Sequence, residues 1–246
     1  MPNAHVSSRL MSAIGLAVLS ATILGSTPPS VAARTPRSAS QAGDTVAALK
    51  QSIQENQVRL RRYQWIETTA VSLKGDEKSR KQNECYYDVE GKVQKVPIAG
   101  AAPQEAPKRG LRGKIVEHKK EEMTDYMQQA VALVHAYVPP DPALIQAAKN
   151  AGKISIRPGA GNSMSVQIND YRLQGDVVAF EFDRALSRLL SVRIATYLES
   201  PQDAISLDVT YSSLPDGTNH PSVITLGAPA KDIRVVVENG GYRPGR

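Results

Sequence analysis

Cysteine occurs once in this 246-residue chain, at Cys85. A single thiol excludes an internal disulfide framework and a cysteine-rich metal knot, so folding must rest on packing. Histidine is also scarce, with four residues, and only His118, His135 and His220 lie beyond the first few positions. Aromatic side chains are few too: one Trp and two Phe beside nine Tyr. No Gly-x-Ser-x-Gly elbow and no Ser-x-x-Lys occurs, which leaves nucleophilic acyl chemistry without its usual scaffold. Gly159-Ala160-Gly161-Asn162 is glycine-rich, but no Lys or helix follows as a phosphate loop requires, so it reads as a turn. No apolar run beyond the N-terminus reaches the roughly 18 residues of a membrane helix.

What is present begins with an address. Arg9 supplies a thin basic region, Met11 to Leu24 is apolar apart from Ser and Thr, and Val31-Ala32-Ala33 offers a small-residue cleavage site. That is the pattern of a secretory signal over residues 1–33. No cysteine stands at the cleavage site to take a lipid, so the expected location is the periplasm or the secreted fluid. Cleavage would leave 213 residues, enough for one domain with a substantial core. Residues 34–43 are Ser, Ala, Pro and Gly with two Arg, a disordered lead-in to a single domain over 44–246.

Charge is unevenly spread. Residues 34–120 carry 18 basic against 10 acidic side chains, whereas residues 121–246 carry 11 against 14. The bland reading is a solvated surface; the sharper one is attraction to anionic membrane surfaces. Nucleic acid is not expected, since no recognition motif accompanies the charge.

Periodicity supplies the architecture. Asp44 caps a predicted helix to about Arg61, with Val46, Leu49, Ile53 and Leu60 along one side. Residues 63–73, 78–88 and 92–98 read as a three-stranded meander. Residues 99–113 are rich in Pro, Gly and basic side chains, a linker or mobile loop. A helical insert follows over 114–152, as a long helix 114–138 and a shorter one opened by Asp141-Pro142. From Lys153 onward apolar and polar residues alternate, predicting strands at 153–157, 163–172, 177–183, 188–199, 203–212, 221–226 and 231–238. The short turns between them require antiparallel neighbours. The expected fold class is therefore α+β: a curved, mostly antiparallel sheet with an N-terminal helix and an inserted helical lid over its apolar face.

Chemistry-bearing candidates are few. His118 with Glu121 or Glu122 has the spacing that places metal ligands on one helix face, but it sits in a charged run that equally suits surface ion pairs. Cys85, followed by Tyr86-Tyr87 in a predicted strand, reads as packing rather than nucleophile. Trp65 reads as a core anchor or a ligand contact. No catalytic residue, cofactor or metal is assigned, and the chain is expected not to be an enzyme.

What remains is the apolar face of the ladder. The candidate ligand-binding residues are Met164, Val166, Ile168, Phe180, Phe182, Val192, Ile194, Leu207 and Val209, with Met123 and Met127 from the covering helix. Either the helices seal this face as an ordinary core or they leave a cleft for an apolar ligand.

Two segments carry a family resemblance. Leu189 to Tyr197, with Phe182-Asp183 ahead of it, and the turn from Leu214 to Ile224 (LPDGTNHPSVI) are similar to stretches of the periplasmic lipoprotein carrier family, the LolA/LolB-like half-barrels. The order of elements over about 44–238 resembles that family as well. The resemblance implies a half-barrel with helices over its concave face and a cleft for an acyl chain, without catalytic residues. The chain departs from the family in its long basic insert at 99–113. Expected functions are an exported carrier of a lipid, acyl chain or other apolar ligand; alternatively an envelope sensor or protein-interaction module on the same fold, or a structural domain with a sealed core.

Overall fold

The computed structural model describes residues 51, 54–98, 111–138 and 140–245; the side chains of 111–117, 119 and 120 lie outside that description. The expected signal segment 1–33, the expected lead-in 34–43 and most of the expected linker 99–113 therefore lie outside the described residues. Of the predicted helix 44–61, residue 51 and residues 54–61 are described; Arg61 already lies in a turn, and 51 and 54–60 are helical, the latter segment being α1. Its last residue, Leu60, is buried, while Val58 stays exposed.

Ten strands follow in one antiparallel sheet. They are β1 (Tyr63–Leu73), β2 (Asp76–Tyr87), β3 (Val93–Pro97), β4 (Ile154–Pro158), β5 (Ser163–Asn169), β6 (Val177–Asp183), β7 (Arg188–Tyr197), β8 (Ala204–Ser213), β9 (Asn219–Ala228) and β10 (Ile233–Pro244). Their order across the sheet is β3-β2-β1-β10-β9-β8-β7-β6-β5-β4. Every chain-consecutive pair from β4 to β10 is adjacent, as short turns demand, and β1 closes onto β10. The sheet is open, with β3 and β4 at its two edges.

That order explains the helical insert. The chain must pass from edge strand β3 to edge strand β4, across ten strands spaced by roughly 4.8 Å, a gap of about 43 Å in a flat sheet. The helix α2 (Leu111–His135) has 25 residues. At 1.5 Å per residue it is about 37 Å long. A single helix of this length can cross the face, and α3 (Pro142–Asn150) completes the return. Asp141 caps α3, accepting the Ala143 N–H at 2.8 Å, with Pro142 in the first turn where a missing donor costs nothing. The structure begins α2 three residues before the predicted Lys114 and ends it at His135, because residues 136–138 already turn ahead of Pro139-Pro140.

One core forms between the helices and one face of the sheet. Met127, Ala130, Val131 and Val134 of α2, Tyr137 just beyond it and Ala148 of α3 pack on Ile168, Val178, Ile194, Ile205, Leu207, Leu226 and Val235, among others. These strand residues come from the alternating ladder, so period two does decide which side is buried.

Candidate functional site

The face beneath the helices divides into three regions. The first is sealed. Ile168, Val192, Ile194, Leu207, Val209 and Met127, six of the eleven candidate residues, are buried in the core cluster. They fill space between α2 and the sheet.

The second region is half-open and lies toward the β4 edge. The register aligns Pro158, Met164, Phe182 and Leu189 in one row and Ile156, Val166, Phe180 and Val192 in the next. Met164, Val166, Phe180 and Phe182 are each partly exposed, and Ile156 is 63% exposed on the edge strand. The next row, Ile154, Ile168, Val178 and Ile194, runs under the helices. Phe180 and Phe182 are two apart on one strand, so their rings lie on one side, stacked with centroids 6.1 Å apart. Met123, from α2, is partly buried against the core. The structure thus brings together four of the sheet candidates as an apolar strip that continues the core outward.

The third region is aromatic and ionic, at the β1–β3 corner. A bulge in β10 sets Gly241 and Tyr242 opposite Trp65, because Ile66 pairs with Gly240 while Gln64 pairs with Arg243. Gly241 takes φ +62°, which a side chain would resist. The bulge turns Tyr242 onto Trp65, stacked at 5.6 Å, and Tyr87 packs against the indole at 5.5 Å. The indole N–H donates to Asn239 at 3.0 Å, so the polar edge of Trp65 is satisfied. Beside it Lys95 donates to both carboxylate oxygens of Glu67, at 2.6 and 2.8 Å, with side chains only 12% and 6% exposed. Cys85 pairs with Trp65 on one side and Lys95 on the other. Burial, and then the Glu67 charge, push its thiol up to about 12. A protonated, buried thiol is no nucleophile at neutral pH. Trp65 is accordingly a core anchor.

The other sequence candidates resolve simply. His118 reaches Glu122 at 3.3 Å on an exposed helix face. Among the described residues no three His, Cys, Asp or Glu side chains gather as a metal site. His220 is buried and lies 4.1 Å from the Tyr242 ring; burial lowers its pKa.

Sequence reasoning missed the polar latches that hold the helices on the sheet. The Tyr137 hydroxyl donates to Asp176 at 2.7 Å, and Thr196 Oγ1 lies 2.7 Å from the same oxygen. Asp176 is fully buried in the β5–β6 connection, where it also accepts the N–H groups of Tyr171, Arg172 and Leu173. Farther back, Tyr126 donates to Asp203 at 2.6 Å, in the β7–β8 connection. Tyr126 on α2 and Tyr137 in the turn just after it, eleven residues on, reach two turns at one end of the sheet. That spacing, with an Asp in each turn, was the available signal. At the opposite end Asn56 of α1 bonds Asn219 reciprocally, at 2.7 and 2.6 Å.

No protein-family model and no curated protein matches the chain. Among solved structures it is similar to a DUF1329 family protein from Desulfovibrio piger, at 8% identity, covering 81% of this chain and 92% of that one with a TM-score of 0.27. A score that low carries no inference about family or function.

Proposed function

We propose that this protein is an exported, non-enzymatic binding protein that holds an apolar ligand, a lipid or acyl chain, on the half-open strip of its sheet. The observation that carries this reading is the strip itself. Met164, Val166, Phe180 and Phe182 stay partly exposed on the rows beyond Ile168 and Val178, and Phe180 and Phe182 pack against the core. Fully burying such a side chain contributes roughly 1.5–3 kcal/mol, so a ligand that covers these four gains affinity from each. The strip is a continuation of a rigid, packed core, which suits a seat that needs little reordering.

On this reading the helix pair 111–150 is the cover of a LolA-like half-barrel, and the periplasm or secreted fluid is its place of work. The excess of basic residues in the first half, 18 against 10 acidic over residues 34–120, favours approach to anionic membranes. That attraction fades as salt screens it.

A second reading has its own observation. β4 is an edge strand of five residues, and its Ile156 is largely exposed beside the strip. An unpaired edge next to apolar surface suits strand addition by a protein partner, as in an envelope sensor. Native mass spectrometry of protein purified from its own envelope separates the two. A co-purifying mass of a few hundred daltons that organic solvent removes supports the carrier. Repeated absence of such a mass, with a stable protein partner retained instead, overturns it.

A further inference from the structure

The open side of β4 presents a short run of unpaired backbone groups whose order can be read from its bonds to β5. The Asn169 N–H donates to the Lys153 carbonyl, and the Gly159 N–H donates to the Ser163 carbonyl. Both bonds fall on the register that sets Ile154 opposite Ile168 and Pro158 opposite Met164. Antiparallel ladders alternate, so residues 153, 155, 157 and 159 turn their backbone groups toward β5. Ile154, Ile156 and Pro158 turn theirs to the open side, where no described strand pairs with them. Proline has no N–H, so the donors there are those of Ile154 and Ile156. The Ile156 side chain is 63% exposed, in one row with Val166 and Phe180.

A two-fold axis through Ile156, normal to the sheet, makes this edge complementary to itself. Residue 156 then faces 156 of the second copy, and 154 faces 158. The Ile156 N–H donates to the opposite Ile156 carbonyl and the Ile154 N–H to the opposite Pro158 carbonyl, each twice by symmetry. Every outward donor is used, and the missing proline N–H leaves only the Ile154 carbonyls to water. Neighbouring registers are worse. A shift one way sets Arg157 against Lys153, and a shift the other way sets Arg157 against Arg157, like charges directly opposite. The centred register sets Arg157 against Ser155. By the same alternation the outward residues of β3 are Val93, Lys95 and Pro97, so self-pairing centred on that edge opposes two lysines.

We propose that β4 pairs with β4 of a second copy of this chain, in the register centred on Ile156, to form one continuous antiparallel sheet. The inference goes beyond the apolar-ligand reading and needs no ligand. It bears on the strip all the same. The row of Ile156, Val166 and Phe180 meets its own symmetry mate, so the second copy contributes an Ile156 to it. The row of Pro158, Met164 and Phe182 runs on into Ile154 and Ile168 of the second copy, the row that the helices cover. Five-residue strands bury a small area, so the pair belongs to the weak, concentration-dependent class.

Sedimentation velocity of the purified chain tests the association, and cysteine cross-linking tests its register. Mean mass should rise from one chain toward two over roughly 10 μM to 1 mM. Ile156→Lys, at an exposed position outside the core, should weaken association at least about tenfold by opposing two ammonium groups. Under mild oxidation Ile156→Cys should form a disulfide-linked dimer, since opposed Cα atoms about 5.5 Å apart are within disulfide range. Ser155→Cys should not, because its symmetry mate lies roughly 8 Å away, two residues along and one strand across. The native Cys85 is buried and does not compete. A wild type that stays a single chain throughout overturns the inference. So does an Ile156→Lys variant that associates equally well, or Ser155→Cys cross-linking as fast as Ile156→Cys. Each of these leaves the apolar seat standing, whereas a dimer that binds no alkyl-chain probe removes the seat and keeps the pairing.

Discussion

Tyr137 shows how much can hang on one hydroxyl. It joins the end of α2 to Asp176, a carboxylate with no exposed surface and three backbone donors of its own. Tyr137→Phe removes the side-chain donor and leaves the backbone ones, so unfolding in urea should show a loss of about 1–2 kcal/mol. The Glu67–Lys95 pair should respond differently. Lys95→Met leaves a buried carboxylate unpaired and should cost about 3–5 kcal/mol, whereas replacing both partners with apolar residues should cost much less. A double-mutant cycle on urea midpoints checks this. His220 contributes a pH dependence. Burial holds its folded pKa below the ordinary value of about 6.5, so the folded protein binds fewer protons than the unfolded one. Its share of stability is full above about pH 6.5 and is lost as pH falls through the folded pKa. His135, lowered by burial in the same way, adds to the trend. The urea midpoint should fall between pH 7.5 and pH 5, and less steeply in a His220→Gln variant.

At the scale of elements, the strands were the most legible part. Alternation over Met164–Ile168 and Ile205–Tyr211 predicts both the strands and their buried side, because a period of two has one solution once one face is dry. The bulges were not legible. Nothing in Gly240-Gly241-Tyr242 says that Trp65 will sit opposite two residues, since that depends on register with a strand far away in sequence. Helix α2 was visible from its stripe, but its route was not. The strand order makes it a bridge between the two edges, tied at Tyr126 to Asp203 and at Tyr137 to Asp176. Tyr126→Phe combined with Tyr137→Phe should loosen this bridge without unfolding the sheet. Amide exchange in residues 121–135 should then rise well above that in β7 and β8, which keep their ladders.

Across the whole molecule, the sequence located the apolar face but could not say where it is closed. Met164 and Ile168 carry the same signal in the chain, yet one is partly exposed and the other buried. What separates them is where α2 and α3 come down on the sheet, a property of tertiary packing that no local pattern encodes. The outcome is one sheet face with a sealed centre, an aromatic and ionic corner and a half-open apolar strip, and the proposed function depends on the strip alone. The most direct measurement is the dissociation constant of a fluorescent alkyl-chain probe for the wild type and for Phe180→Asp, with folding of both verified by circular dichroism. A ligand seat on the strip requires saturable binding by the wild type, and at least about tenfold weaker binding once a charge sits in the strip. No saturable binding by the wild type, or equal binding by a folded Phe180→Asp variant, would contradict it.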